Sequence, residues 1–171
     1  LDLKDIPMAK IGGLLSGAKN SRVTVCLQRG EEQLNVTVRR DLIDAPSVRN
    51  IHMLDFDNGV GYLRVATFDR DTAMEVQRAC DSLLRQDMRS LLFDLRCNGG
   101  GIMASAIDAT RLFIDTGNIV TVNSANKSKI YRAGGDRFNA YRFPVIVLVD
   151  HSTASAAEIF TAALQECGRA T

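Results

Sequence analysis

From about residue 60 onwards, short apolar runs alternate with stretches whose apolar residues recur every three or four positions. The short runs predict buried strands at residues 61–66, 90–95, 119–122 and 145–149. The periodic stretches predict helices at residues 71–86, 103–113 and 156–167. Because these strands lack polar alternation and helices separate them, we expect an α/β fold with a mostly parallel sheet and helices on both of its faces.

The first forty residues have a different pattern. Pro7 begins a short amphipathic stretch over residues 7–15 that includes Ile11 and Leu15 and predicts a helix. Two alternating runs then flank Gly30 and predict a hairpin. A helix and one hairpin are too small to bury a core alone. Residues 41–58 have mixed polarity and predict a connector, so we expect two domains, residues 1–42 and 43–171.

Composition excludes several classes of protein. The 171 residues are 46% hydrophobic and 24% charged, with a net charge of +1, which gives no sign of a nucleic-acid or membrane-surface partner. No apolar run approaches the ~20 residues that span a bilayer. The four cysteines form no CxxC pair, which argues against zinc. Three of them lie in apolar patterns and are expected in the core: Cys26, Cys80 and Cys167.

Three consecutive glycines follow the predicted strand at residues 90–95. In the segment Asn98-Gly99-Gly100-Gly101, backbone N–H groups are not covered by side chains, as an oxyanion hole or a phosphate cradle requires. Neither GxGxxG nor GxxxxGK[ST] is present, which argues against a phosphate loop. A simple strand-to-helix turn that needs positive φ explains the same residues equally well.

Ser155 lies between the last predicted strand and the last predicted helix. A serine there is close to free N–H groups and the positive end of a helix dipole, which stabilise an oxyanion and suit a nucleophile. However, Ser155 and Glu158 also match the S-x-x-E capping box, in which the serine only caps the helix. The G-x-S-x-G nucleophile motif is absent, because alanine flanks Ser155 on both sides.

A nucleophilic serine needs a base within hydrogen-bond reach. The two histidines are His52, in the predicted connector, and His151, four residues before Ser155. Lys127 and Lys129 fall in a predicted polar loop, where a lysine stays solvated and charged. None of the four is a strong base candidate by position. Two carboxylates that close buried strands, those of Asp94 and Asp150, are expected to cap loops or to pair with cations such as Arg96.

Four segments together resemble one family. The segment DLRCNGGG, which begins at Asp94, is similar to the family motif D-L-R-x-N-P-G-G. The segment VLVDHSTASAAEI, which begins at Val147, is similar to V-L-V-x-x-x-[ST]-A-S-A-S-E-I. The strand GYLRVATF from Gly61 and the segment LQECGRA from Leu164 also resemble stretches of the same family. The family is that of the carboxyl-terminal processing peptidases, or tail-specific proteases. The resemblance implies a crotonase/Clp-protease-like core.

The same resemblance assigns roles to the residues at the two turns. It implies that Ser155 is the nucleophile of a serine endopeptidase, and that the N–H groups of Ala156 and of Gly100 or Gly101 bind the oxyanion. The chain departs from the family where Gly99 replaces a proline and Ala157 a common serine. The family's base is a lysine in a G-K-G segment, which we expect beyond Thr171. The 171-residue chain alone should then be nearly inactive. No metal or cofactor is implied.

Residues 1–42 resemble the closing helix and hairpin of the PDZ domain that these proteases carry. The resemblance implies that Ile11 and Leu15 help to form one wall of a groove that binds the C-termini of protein or peptide substrates. The carboxylate-binding loop and the pairing strand would precede Leu1. We expect no nucleic-acid partner, and a homo-oligomer stays open. The implied location is the bacterial cell envelope or periplasm, or the secreted fraction.

Two other functions compete with the peptidase. A non-catalytic ligand-binding or scaffold protein on the same fold would need no base. A crotonase-like acyl-CoA enzyme would share the glycine turn and the backbone oxyanion hole, but it would not explain the PDZ-like hairpin or the TASAAE turn.

Overall fold

The computed structural model describes residues 6–42, 45–125, 127–134 and 140–171. It divides into two compact units, Leu1–Ala45 and Pro46–Thr171. The predicted boundary after residue 42 falls at residues 43 and 44, which lie outside the described part of the chain. The assignment of residues 1–42 to a PDZ-like domain and of residues 43–171 to a peptidase core remains a prediction.

The first unit consists of one helix and one hairpin. Its elements are α1 (Met8–Leu15), β1 (Arg22–Arg29) and β2 (Glu32–Arg39). The two strands are antiparallel, and Gly30 has a φ of +62° in the turn between them, where glycine is the residue with the least backbone strain. The Arg40 guanidinium donates hydrogen bonds to the Leu15 carbonyl at 2.7 Å and to the Ser21 hydroxyl at 3.0 Å. This arginine therefore links the end of the helix to the hairpin.

The second unit alternates strands and helices. Its strands are β3 (Val48–Asp55), β4 (Val60–Val65), β5 (Ser90–Asp94), β6 (Asn118–Ser124), β7 (Lys127–Arg132) and β8 (Val145–Leu148). Its helices are α2 (Thr72–Leu84), α3 (Met103–Arg111) and α4 (Ala156–Glu166). One sheet has the order β3-β4-β5-β8, in which β4, β5 and β8 are parallel and β3 is antiparallel to β4. The α/β class and the mostly parallel sheet are thus confirmed.

Two strands lie where the sequence predicts connecting segments. β3 occupies part of the expected connector at residues 41–58 and forms an edge of the sheet. Its register against β4 shifts twice, so its buried residues do not alternate regularly. β7 contains Lys127 and Lys129, which were predicted to lie in a loop, and pairs with β6. Because β7 is almost entirely exposed, no apolar pattern distinguishes it from a loop.

Only one of the three cysteines predicted in the core is buried. Cys80 on α2 is fully buried, whereas Cys26 and Cys167 are exposed. Cys26 alternates with Val25 and Leu27 along β1, and successive side chains of a strand point to opposite faces. Cys167 follows the last residue of α4 at the helix end. An apolar neighbourhood in the sequence was therefore a poor guide to burial at these two positions.

An aromatic cluster anchors α4 on the sheet. The Phe160 ring stacks on Phe93 of β5 with centroids 4.7 Å apart, and it also packs against Phe68 and Phe113. Ala156 is buried at the start of the helix, where its small side chain lets the helix N-terminus approach the core. The position of the helix N-terminus is therefore set by large buried side chains below it. None of the described helices is long and apolar enough to cross a membrane.

Candidate active site

Ser155 has an unusual backbone conformation. Its φ is +56° and its ψ is −118°, a combination typical of the first central residue of a type II′ turn, where glycine predominates. A side chain in such a region costs on the order of 1–3 kcal/mol, and strain of this kind clusters at functional sites. Ser155 is exposed and immediately precedes α4. A strained serine between a strand and a helix is the geometry of a nucleophile elbow, although G-x-S-x-G is absent.

The first turn of α4 leaves one donor free next to Ser155. Across the described residues, the Ala156 N–H donates no hydrogen bond. By contrast, the Glu158 carboxylate accepts the Ser155 N–H at 2.5 Å, which is its expected half of the capping box. Glu158 therefore caps the helix and leaves the Ala156 N–H for another acceptor. Capping by Glu158 and a nucleophilic Ser155 do not exclude each other.

The glycine turn, residues 98–101, lies directly against Ser155. Gly100 has a φ of +101°, and a Cβ built on it would lie 2.8 Å from the Ser155 Cβ and 2.9 Å from the Ala156 nitrogen. Gly101 has a φ of +133°, and a Cβ there would lie 2.1 Å from the Phe68 carbonyl oxygen. Neither position has room for a side chain. The structure thus brings Gly100 against Ser155 and Ala156, from which it is far away in the sequence.

The N–H groups of the two glycines differ in their partners. The Gly100 N–H donates to the Asn98 side-chain oxygen at 2.8 Å, a bond that spans two residues and forms an Asx turn. The Gly101 N–H has no acceptor among the residues that the structure describes. Of the N–H groups of Ala156, Gly100 and Gly101, those of Ala156 and Gly101 are therefore unbonded within the described residues.

Hydrogen bonds join the glycine turn, and Leu95 before it, to the serine turn, which we define as residues 149–155. The Ala154 N–H donates to the Asn98 carbonyl at 3.0 Å, and the Thr153 hydroxyl donates to the Leu95 carbonyl at 2.9 Å. These bonds connect the residues that follow the adjacent parallel strands β5 and β8. Sites commonly form at this edge of a parallel sheet, where strands end side by side.

Asp150 links the serine turn to Cys97, the residue before the glycine turn. Its carboxylate accepts the Cys97 N–H at 3.0 Å and the Ser152 N–H at 2.9 Å. The hydrogen bond from the Cys97 backbone is the main reason why the pKa of Asp150 is lowered to about 2. The same carboxylate raises the pKa of the Cys97 thiol, because it accepts a hydrogen bond from the sulfur and repels the thiolate charge.

Asp94 stabilises the end of β5 from inside the protein. Its carboxylate is fully buried and accepts hydrogen bonds from the Tyr62 hydroxyl at 2.6 Å and from the Arg96 guanidinium at 2.7 Å. Burial alone would raise the pKa of this carboxyl, but the hydrogen bonds from Arg96 and Tyr62 outweigh it and lower the pKa to about 2. Asp94 and Asp150 therefore both bind loop residues at strand ends, as their positions predict.

The candidate bases have other contacts. No hydrogen bond joins His151 to Ser155, although both are described. His52 contacts the Asn50 carbonyl at 2.8 Å, and the Lys129 ammonium lies 4.5 Å from the centre of the Tyr131 ring. In the described part of the chain, no three His, Cys, Asp or Glu side chains are grouped as metal ligands would be.

The predicted substrate-binding residues lie on α1 in the first unit. Ile11 is half-buried and Leu15 is 40% exposed, one helical turn further along. This spacing places both on one face of the helix. Their role in substrate binding remains a prediction.

Sequence reasoning assigned no role to two residues that hold the glycine turn. Asn98 is fully buried and bonds to three segments, and Phe68 accepts the Ile102 N–H at 2.7 Å while its own N–H donates to the Gly100 carbonyl at 2.8 Å. A polar residue beside a glycine run at the end of a buried strand was a signal for Asn98. No local signal identified Phe68, whose contacts are made by its backbone.

Known proteins of similar sequence include carboxyl-terminal processing proteases. The sequence profile of "Peptidase family S41" matches residues 59–171. The chain is 38% identical over 156 residues to the carboxy-terminal processing protease CtpA of Bacillus subtilis (strain 168), covering 90% of this chain and 32% of that relative. It is 33% identical over 175 residues to the carboxyl-terminal-processing protease of Picosynechococcus sp. (strain ATCC 27264 / PCC 7002 / PR-6), covering 99% and 41%.

A solved structure agrees with these sequence matches. The photosystem II D1 C-terminal processing protease superposes with a TM-score of 0.66 and 28% identity, covering 94% of this chain and 45% of that one. The chain spans about a third of the length of the Bacillus relative. Because the profile matches 59–171, which contains both turns, the chain belongs to peptidase family S41.

Proposed function

We propose that this chain carries the nucleophile and oxyanion site of a serine endopeptidase that recognises protein C-termini and cleaves near them. One observation carries the proposal. Ser155 is exposed in a strained conformation at the N-terminus of α4, beside the unbonded Ala156 N–H and against a glycine that has no room for a side chain. Membership of family S41 supports the same reaction class.

In the proposed reaction, the Ser155 hydroxyl oxygen attacks the scissile carbonyl carbon and its proton passes to a general base. The Ala156 N–H and a glycine N–H then stabilise the oxyanion of the tetrahedral intermediate. Of the two candidate glycines, Gly101 has the uncommitted N–H, whereas that of Gly100 is bonded to Asn98. Collapse breaks the amide bond, the amine takes the proton, and water later hydrolyses the serine ester.

The base in this proposal is a lysine beyond Thr171, as the family resemblance implies. The contacts of the described residues support a base from elsewhere, because neither histidine hydrogen-bonds to Ser155 and Lys129 lies over Tyr131. A lysine must lose its proton to act as a base near neutral pH, and burial in an apolar site is the usual cause of that loss.

The proposed substrates are proteins or peptides with accessible C-termini. Ile11 and Leu15 on α1 would contact the substrate's terminal residues in a PDZ-like groove. The printed names of the relatives, which describe carboxyl-terminal processing, support this substrate class. We further propose a location in the bacterial cell envelope, periplasm or secreted fraction, which immunoblots of fractionated cells would test.

The product of the complete gene, rather than the isolated chain, is the enzyme to test. Ser155→Ala should abolish cleavage of an unstructured polypeptide with an apolar C-terminus and labelling by a fluorophosphonate probe. Ser152→Ala, in the same turn, is the matched control and should retain both activities, since only the Ser152 backbone contacts Asp150. Amidating the substrate C-terminus should slow cleavage. Turnover retained by Ser155→Ala would refute the proposal.

The rival is a non-catalytic ligand-binding or scaffold protein on the same fold. The absence of a hydrogen-bonded base at Ser155 within the described residues favours it. This rival predicts that the complete gene product binds peptides with apolar C-termini but neither cleaves them nor reacts with the fluorophosphonate.

A further inference from the structure

Asn98 is a buried side chain whose polar ends both have partners in different segments. Its side-chain N–H donates to the Val65 carbonyl at 2.9 Å, at the end of β4, and its side-chain oxygen accepts the Gly100 N–H at 2.8 Å. Its backbone carbonyl accepts the Ala154 N–H at 3.0 Å. Asn98 therefore connects the sheet, the glycine turn and the serine turn.

These contacts require a side chain that donates at one end and accepts at the other. An ionised carboxylate would accept from Gly100, but it could not donate to Val65 and would place negative charge against the carbonyl oxygen. An apolar residue would leave the Val65 carbonyl and the Gly100 N–H without that partner in a buried site. The amide therefore determines how the peptide planes of the turn are oriented.

We propose that Asn98 is a positioning residue for the oxyanion site. By holding the Gly100 N–H in the Asx turn, it keeps the next N–H, that of Gly101, free for the oxyanion, and its carbonyl keeps the serine turn at the correct distance. This inference rests on the proposed peptidase function. Because the oxyanion forms only during reaction, losing Asn98 should lower kcat and leave KM nearly unchanged.

The test uses the complete gene product and three variants assayed beside the wild type. In Asn98→Ala, kcat should fall by about 100-fold, the size expected for a displacement of about 1 Å at a reacting group. Thr110→Val is the matched control, because Thr110 is also fully buried and its hydroxyl donates to the Ala106 carbonyl within α3. Its kcat should stay near that of the wild type even if its melting temperature falls.

Asn98→Asp gives a readout that a merely structural role would not produce. A protonated carboxyl has an O–H donor and a carbonyl acceptor, so it can reproduce both bonds of the amide, whereas the ionised form cannot. The ratio of its kcat to the wild-type kcat should rise as pH falls through the pKa of the introduced carboxyl. Titration of Cys97 and Asp150 in the neighbouring turns, and of the general base, affects both proteins and cancels in this ratio.

Each outcome decides the inference. A wild-type kcat in Asn98→Ala, an equal loss in Thr110→Val, or a pH-independent ratio for Asn98→Asp would overturn the positioning role. If Asn98→Ala does not fold, the pH profile of Asn98→Asp decides alone. Ser155→Ala, run in parallel, separates the two levels of the argument. If Ser155→Ala loses cleavage and the Asn98 variants keep it, only the positioning role is refuted. If Ser155→Ala retains cleavage, both the proposed function and this inference are refuted.

Discussion

Gly100 lies so close to Ser155 that a Cβ on the glycine would come within 2.8 Å of the serine Cβ. The same atom would lie 2.9 Å from the Ala156 nitrogen, the first N–H of α4. The φ of +101° at Gly100 is also one that L side chains rarely adopt. Space and backbone conformation therefore both require glycine at this point of contact between the two turns.

Replacing Gly100 should disturb both the fold and the proposed reaction. Gly100→Ala is expected to lower the free energy of unfolding by about 1–3 kcal/mol, because the added methyl group must displace backbone atoms of the serine turn. Gly99→Ala is the matched control, since its Cβ would meet nothing within 4 Å and its φ is not left-handed. Urea unfolding followed by circular dichroism should show a lower midpoint for Gly100→Ala only, and equal midpoints would contradict this packing.

The backbone strain at Ser155 predicts an unusual order of stability. Ser155→Gly should unfold at a higher urea concentration than Ser155→Ala, with a difference of about 1 kcal/mol, because only glycine adopts φ +56° and ψ −118° without strain. Both variants should lack cleavage activity, so the comparison is independent of catalysis. An alanine variant as stable as the glycine variant would show that this backbone is unstrained.

Acid should destabilise the second unit through Asp94. The pKa of this carboxyl falls from about 4 in an unfolded chain to about 2 in the folded one, so the unfolded state binds the proton more readily. The stabilisation is complete above about pH 4 and is lost as pH falls towards 2. Urea unfolding across this range should show a smaller acid effect in Asp94→Asn, with the remainder coming from groups such as Asp150.

Tyr62→Phe provides the matched test of the cause. It removes the hydroxyl that donates to Asp94 at 2.6 Å and keeps the ring, so the pKa of Asp94 should rise. The loss of stability on acidification should then begin near the same pH as in the wild type, because the pKa of the unfolded chain sets its onset, but it should be smaller and end at a higher pH. An unchanged pH profile would mean that the tyrosine hydroxyl does not stabilise the carboxylate.

The four thiols should differ in their rates of reaction with DTNB. Cys26 and Cys167 are exposed and should react first. Cys97 is also exposed but should react more slowly, because Asp150 raises its pKa and the thiolate is the reactive form. Cys80 should react only after unfolding, since burial raises its pKa to about 12. Cys97→Ser should remove the slow phase, and rapid modification of a fourth thiol in native protein would contradict the burial of Cys80.

The elements whose apolar residues recur regularly could be predicted from the sequence, and those without a regular apolar pattern could not. β5, β8 and α4 lie within two residues of their predicted bounds, because their apolar residues recur with a period that depends only on neighbours in the chain. β7 is nearly all exposed, and β3 has two register shifts, so neither has a regular pattern to detect.

The sequence by itself determined the α/β order of elements, the glycine run after one strand and the serine before the last helix. Only the tertiary structure decided that these two turns touch, that Ser155 is strained, and that Asn98 bonds to Val65, 33 positions away. The physical reason is that hydrophobic periodicity is a local property of the chain. Contacts between turns depend instead on which strands become neighbours and on how closely Phe160 and the other buried rings hold α4 against the sheet.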